Sequence, residues 1–133
     1  NDPLVATNVI DYSKVTANIS KSYTDLNADI FITNGSTSVS SSTKRGIIVA
    51  GGDVTVNEDF EGLIIAKGKV TIEGKVTAKN NIVLVREILK KVVVDDDIKD
   101  IFIQYKTFDS NKLDKVTVSD YITYKNWNKN DAD

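Results

Sequence analysis

Asp53, Glu58, Asp59, Glu61 and Glu73 stand close together in mid-chain. Paired carboxylates are the groups from which glycosidases and lyases build a general acid and base. Cleaving a polysaccharide also requires a long groove with aromatic subsites, and Phe60, the aromatic among them, reads instead as core. Asp95, Asp96, Asp97 and Asp100 offer carboxylate oxygens to Ca²⁺. Calcium loops alternate their ligands and place a glycine at the sharp turn, and neither feature is present; acidic residues at a helix start suit the helix dipole instead. Lys67-Gly68-Lys69 invites comparison with a phosphate loop, but Gly62 and Gly68 have five residues between them where that loop has four, and Val70 follows Lys69. Ser40-Ser41-Ser42 lacks a base to activate it and reads as a loop. Tyr121, Tyr124 and Trp127 are the most concentrated aromatics. They are the candidate contact for a ligand or partner, against the reading that they dock the last strand, with Trp127 packed as its tie.

Composition narrows the chemistry further. The chain has 133 residues with 41% hydrophobic and 27% charged, the profile of one ordinary globular domain. Lys plus Arg number 17 and Asp plus Glu 19, a formal charge of -2, so there is no concentrated positive footprint for nucleic acid. His, Cys and Met are absent. That removes imidazole bases, thiol nucleophiles, disulfides and nearly every transition-metal site. No catalytic residue, cofactor or metal is assigned, and the chain reads as non-enzymatic. Without Met, Asn1 is expected to follow a removed signal or anchor, or to lie inside a longer chain. No apolar run approaches the ~20 residues of a membrane span, so a membrane contact is expected only through a preceding anchor.

The elements that must position these residues are legible as a repeat. Ile30-Phe31-Ile32-Thr33-Asn34-Gly35 matches Ile47-Ile48-Val49-Ala50-Gly51-Gly52, and both match Leu63-Ile64-Ile65-Ala66-Lys67-Gly68. Two and four residues after each last glycine stand Thr37 and Val39, Val54 and Val56, Val70 and Ile72. Ile82-Val83-Leu84-Val85 follows as a fourth unit without its glycine. A period this short excludes helical pairs. β-Branched runs at a fixed period, each followed by Gly and an alternating Val-Thr-Val, describe β-solenoid coils with glycine at a corner needing positive φ. The expected architecture is mainly β: a short, single-stranded, right-handed parallel β-helix of about three to four coils. Ile30, Ile47 and Leu63 are expected to form one interior ladder and Val39, Val56 and Ile72 another, with Asp53 paired to Lys69 outside.

Phe31, Ile48, Ile64 and Val83 make the other face of the first strand apolar too, so something must cover it. Val85, Ile88, Leu89 and Val92 have helical spacing, and Asp97 is placed to cap a second helix through Ile98, Ile101, Phe102 and Tyr105. The single domain 1–133 thus divides into a capping segment 1–29, with a strand expected over 14–20, coils over 30–85 and a helical cover over 86–105. Residues 106–133 supply a loop, a last strand over 116–124 lying on one face, and a frayed tail over 128–133.

"TDLNADIFITNG", "GIIVAGGDVTVNEDFEGLIIAKGKVTI" and "ITYKNW" resemble exported β-solenoid proteins of Gram-positive anaerobic bacteria, grouped with pilus-assembly, minor-pilin-like proteins. The resemblance covers roughly residues 24–78 and 116–128. Polymer-forming bactofilins, with short glycine-marked β-coils, are the weaker match. The resemblance implies an extracellular or cell-envelope location and a structural or assembly role, with protein partners or self-association. It supplies no catalytic residues. The alternative is a glycan- or protein-binding module using the Tyr/Trp-rich end.

Overall fold

A computed structural model describes residues 10–79 and 81–102, and residues 127–129 as backbone. The described strands are β1 (Ile19–Tyr23), β2 (Ala28–Thr33), β3 (Thr37–Ser38), β4 (Arg45–Ala50), β5 (Val54–Val56), β6 (Phe60–Ala66), β7 (Val70–Ile72), β8 (Ala78–Lys79) and β9 (Trp127–Lys129). Among the described residues there is one α-helix, α1 (Ile82–Val92), which follows β8 in sequence. One sheet runs β1-β2-β4-β6-β8 and the other β3-β5-β7-β9. β1 is antiparallel to β2, and every other pairing among the described strands is parallel. Each coil therefore gives one strand to each sheet, and about three coils stack as a solenoid.

The registers follow the repeat. Ile30, Ile47 and Leu63 are successive partners, as are Val54 and Val70, and Val56 and Ile72. Ile30, Ile47 and Val56 are fully buried and Leu63 nearly so, whereas Ile72, in β7, is half-buried. Burying each such side chain contributes about 1.5–3 kcal/mol.

The faces are the reverse of those expected. Ile30, Ile47 and Leu63 pack beneath α1, together with Leu84, Val85 and Ile88. Ile48 and Ile64 are the residues that meet Val54, Val56 and Phe60 inside the coil. A strand buried on both faces carries no alternation to say which face is inner, so periodicity alone could not assign them. Phe31, in the first coil, is half-buried.

Ile82 to Val85 is the first turn of α1, not a fourth β-run. The Asn81 side chain accepts the Leu84 N–H at 3.0 Å and caps the helix. With helical spacing and no corner glycine behind it, this apolar run follows the cap, and Val83 points out at 60% exposure. The fourth rung of the first sheet is the two-residue β8.

The second helix is a 3₁₀ turn, Lys99–Ile101, which Asp97 does not cap: its main-chain N–H donates to Asp95 Oδ1 at 2.9 Å. Three consecutive aspartates favour such a local side-chain turn over helix propagation. Tyr105 lies outside the described residues. The capping strand is β1, displaced from the expected 14–20; Tyr12–Lys14 forms a 3₁₀ turn instead, held by the Asp11 side chain. The predicted last strand, 116–124, lies outside the described residues. Asn128 and Lys129, expected in a tail, belong to β9 beside β7.

Glycine also works differently from expectation. The positive φ angles fall at Gly46 (135°) and Gly62 (138°), not at the corners. Gly46 sits opposite Asp29, and Gly62 opposite Gly46. A Cβ on either would overlap the carbonyl oxygen of its partner. At the corners it is proximity that demands glycine: a Cβ on Gly68 would strike the Asp53 carboxylate and one on Gly52 the Ser36 hydroxyl.

Candidate interaction surface

Side chains pointing away from the interior of β3, β5 and β7 build a polar face. Register places Ser38 beside Thr55 and Thr55 beside Thr71, at the ~4.8 Å spacing of adjacent strands. Polar groups flank this column and join one coil to the next. Ser36 Oγ accepts the Asp53 N–H at 2.9 Å, and Asp53 Oδ1 accepts the Lys69 N–H at 2.8 Å. At the other end of the strands, Asn57 Oδ1 accepts the Ser40 N–H at 3.1 Å while its Nδ2 donates to Ser40 Oγ at 2.9 Å. The expected contact between Asp53 and Lys69 is therefore made to the main-chain amide. A short side chain beside a corner glycine reaches the backbone of the next coil more directly than an ammonium.

The mid-chain carboxylates are distributed among structural partners. Glu58 pairs with Lys44 at 2.9 Å, and Asp59 Oδ1 accepts the Thr77 N–H at 3.0 Å. Glu61 accepts from Arg45 Nη1 at 2.7 Å and from Asn81 Nδ2 at 2.6 Å. The Asn81 hydrogen bond, with the Arg45 guanidinium behind it, holds the Glu61 carboxyl below its ordinary range. Glu73 is exposed. Arg45 Nε in turn donates to the Asn27 carbonyl at 3.1 Å. A polar chain thus runs from the β1–β2 turn through Arg45 and Glu61 to the cap of α1. Sequence reasoning missed it, although the signal was present: Arg45-Gly46 and Glu61-Gly62 are the same repeat position with opposite charges, and Asn81 precedes a helical run.

The aspartate cluster is also divided. Asp97 and Asp95 meet Lys21 at 2.6 and 3.5 Å, and Asp96 meets Lys99 at 2.8 Å. The Asp97 hydrogen bond raises the Lys21 pKa, and the Lys99 hydrogen bond lowers that of Asp96. Among the described residues no three His, Cys, Asp or Glu side chains converge on a point.

Two of the remaining sequence candidates, Lys67 and Ser42, serve the fold. Lys67 Nζ lies 5.8 Å from the centre of the Tyr12 ring, a cation–π contact between the third coil and the N-terminal segment. Burial pushes the Tyr12 phenol up to about 12. Ser42 Oγ donates to the Ser38 carbonyl at 2.7 Å within the turn. Tyr121 and Tyr124 lie outside the described residues. Trp127 is placed as backbone at the start of β9, opposite Val70. The described arrangement offers cross-coil hydrogen bonding and a regular polar face. Comparison with known proteins finds no match: no family model fits the chain, and no curated protein or solved structure is similar at a significant level.

Proposed function

We propose that the chain is a non-enzymatic structural or assembly module of the bacterial cell envelope or a pilus, exported and working through protein partners or self-association. The observation that carries this reading is the use made of its polar side chains. Asp53, Asp59, Asn57 and Ser36 hold coil to coil through backbone amides, and Glu61 ties the coils to α1. Residues bound in that way stiffen a stack, and stiffness suits a spacer or a packing unit.

In the same reading the coils wind right-handed, the hand that parallel crossovers in one sheet overwhelmingly take. The last part of the chain lies over one face, and β9 belongs to that closure. A second reading places a glycan or a protein on Tyr121, Tyr124 and Trp127. It draws support from the position of β9 at the end of the second sheet, where Trp127 opens the last rung.

Chemical cross-linking of lysines at rising protein concentration separates the two. Intermolecular links that grow with concentration and map to defined coil residues are expected for an assembly module. A chain that stays monomeric throughout and binds an oligosaccharide saturably at one site would move the assignment to the binding module.

A further inference from the structure

Asn34-Gly35 is the chain's one Asn-Gly pair, and it occupies the corner of the first coil. In the later coils the corner amide is used for stacking: Gly52 N–H donates to the Gly35 carbonyl at 3.0 Å, and Gly68 N–H to the Gly52 carbonyl at 2.8 Å. Among the described residues no equivalent coil precedes the first, whose β2 pairs instead with the antiparallel β1. Its Gly35 N–H therefore donates to a side-chain hydroxyl, Thr33 Oγ1, at 3.2 Å. The corner is open as well, since Asn34 is exposed and a Cβ on Gly35 would meet nothing closer than Thr33 Oγ1 at 4.0 Å.

Among the described residues the Asn34 side-chain amide makes one hydrogen bond. Its Nδ2 donates at 3.2 Å to the carbonyl of Val15, which is buried in the main core and anchors the N-terminal segment. We propose that Asn34 is a site of spontaneous deamidation, and that the product releases the N-terminal segment from the first coil. The Gly35 nitrogen, after losing its proton to hydroxide, attacks Asn34 Cγ. The bond from Cγ to Nδ2 breaks and ammonia leaves, giving a five-membered succinimide. Water then opens the ring at one carbonyl or the other, to aspartate or to isoaspartate. No electrons change hands, and water is the co-reactant. The aspartate replaces a donor with a carboxylate facing the Val15 carbonyl, so attraction becomes repulsion; the isoaspartate draws the side chain into the main chain and leaves its carboxylate on Cα, so that donor is lost as well. Isoaspartate also lengthens the main chain by one carbon at a corner that Gly51 approaches closely enough for a Cβ to strike Asn34.

The test is peptide mapping by mass spectrometry of the full chain, held folded at mildly alkaline pH, beside a sample in urea. Hydrogen exchange of residues 11–15 is followed in parallel. The deamidated peptide is expected to accumulate in the folded chain, with exchange at Val15 accelerating as it does so. Gly35→Ala, which the open corner accommodates, should lose the product while keeping the melting temperature. Asn34→Asp should reproduce the fast exchange without incubation. Deamidation confined to the urea sample would overturn the site. Deamidation in the folded chain with exchange at Val15 unchanged, in the aged protein and in Asn34→Asp alike, would overturn its consequence.

Discussion

A methyl group added at Gly46 or Gly62 would overlap a carbonyl oxygen of the preceding coil, and both backbones hold φ angles that L side chains rarely adopt. Strain and overpacking act together there, so Gly46→Ala and Gly62→Ala should each cost about 2–5 kcal/mol in urea denaturation. Gly35→Ala, with open space and no positive φ, should stay within about 0.5 kcal/mol of the parent. Equal losses at all three positions would show that glycine is needed for something other than close stacking. Titration gives a second test. The buried Tyr12 phenol has its pKa raised from 10.0 to about 12, so its contribution is complete below pH 10 and is lost as pH rises towards 12. Tyr12→Phe should flatten the alkaline limb of the stability curve across that window. Glu61 shifts the opposite way: its pKa is lowered, so its stabilisation is present above the ordinary Glu range and lost as pH falls through its own titration. Glu61→Gln should therefore destabilise at pH 7, with the gap narrowing in acid. A gap that widened in acid would remove Glu61 from the network.

Helix α1 meets the solenoid at two kinds of contact, an apolar face on Ile47 and Leu63 and a polar hinge at Asn81. Asn81 both caps the helix and donates to Glu61, so Asn81→Ala should cost about 1–2 kcal/mol, more than an exposed cap alone. Val56 sits inside the smaller core with Ile48 and Ile64 and is fully buried. Val56→Asp should cost on the order of 4 kcal/mol or more, because a dry ladder offers a charge no partner. Circular dichroism and chemical denaturation check both. The elements also show which signals the sequence carried. The stacking of Ile47 on Leu63 was legible because several positions repeat in one phase. The assignment of faces was not, because Ile47 and Ile48 are equally apolar. Ile82 to Val85 looked like another coil because a short β-branched run is also a helix turn, and the Asn81 cap decides between them. The polar chain through Arg45 and Glu61 was present only as two charges before two glycines, a pattern that acquires meaning once the register is known.

The solenoid as a whole is one stack flanked by covers: β1 closes the first sheet at the first coil, α1 lies over one face, and β9 joins the second sheet. Its oxygen-rich residues are divided among lysines, arginine and backbone amides, so millimolar Ca²⁺ should raise the melting temperature no more than an ionic-strength control does. A clear excess over that control would point back to the aspartates at 95–100. The parallel stacking of coils is the premise on which the polar face, the glycine columns and the structural role all rest. Because the chain contains no cysteine, it can be tested cleanly by introducing two. Thr55 and Thr71 are partners on adjacent strands and face outward. At the ~4.8 Å spacing of neighbouring strands their Cα atoms suit a disulfide. Ser38 and Thr71 lie two strands apart, at roughly 9.6 Å, beyond the reach of one. Mild oxidation of Thr55→Cys/Thr71→Cys should give an intramolecular disulfide in the folded monomer, with Ser38→Cys/Thr71→Cys remaining reduced. A disulfide in the second variant but not the first would contradict the stacked coils.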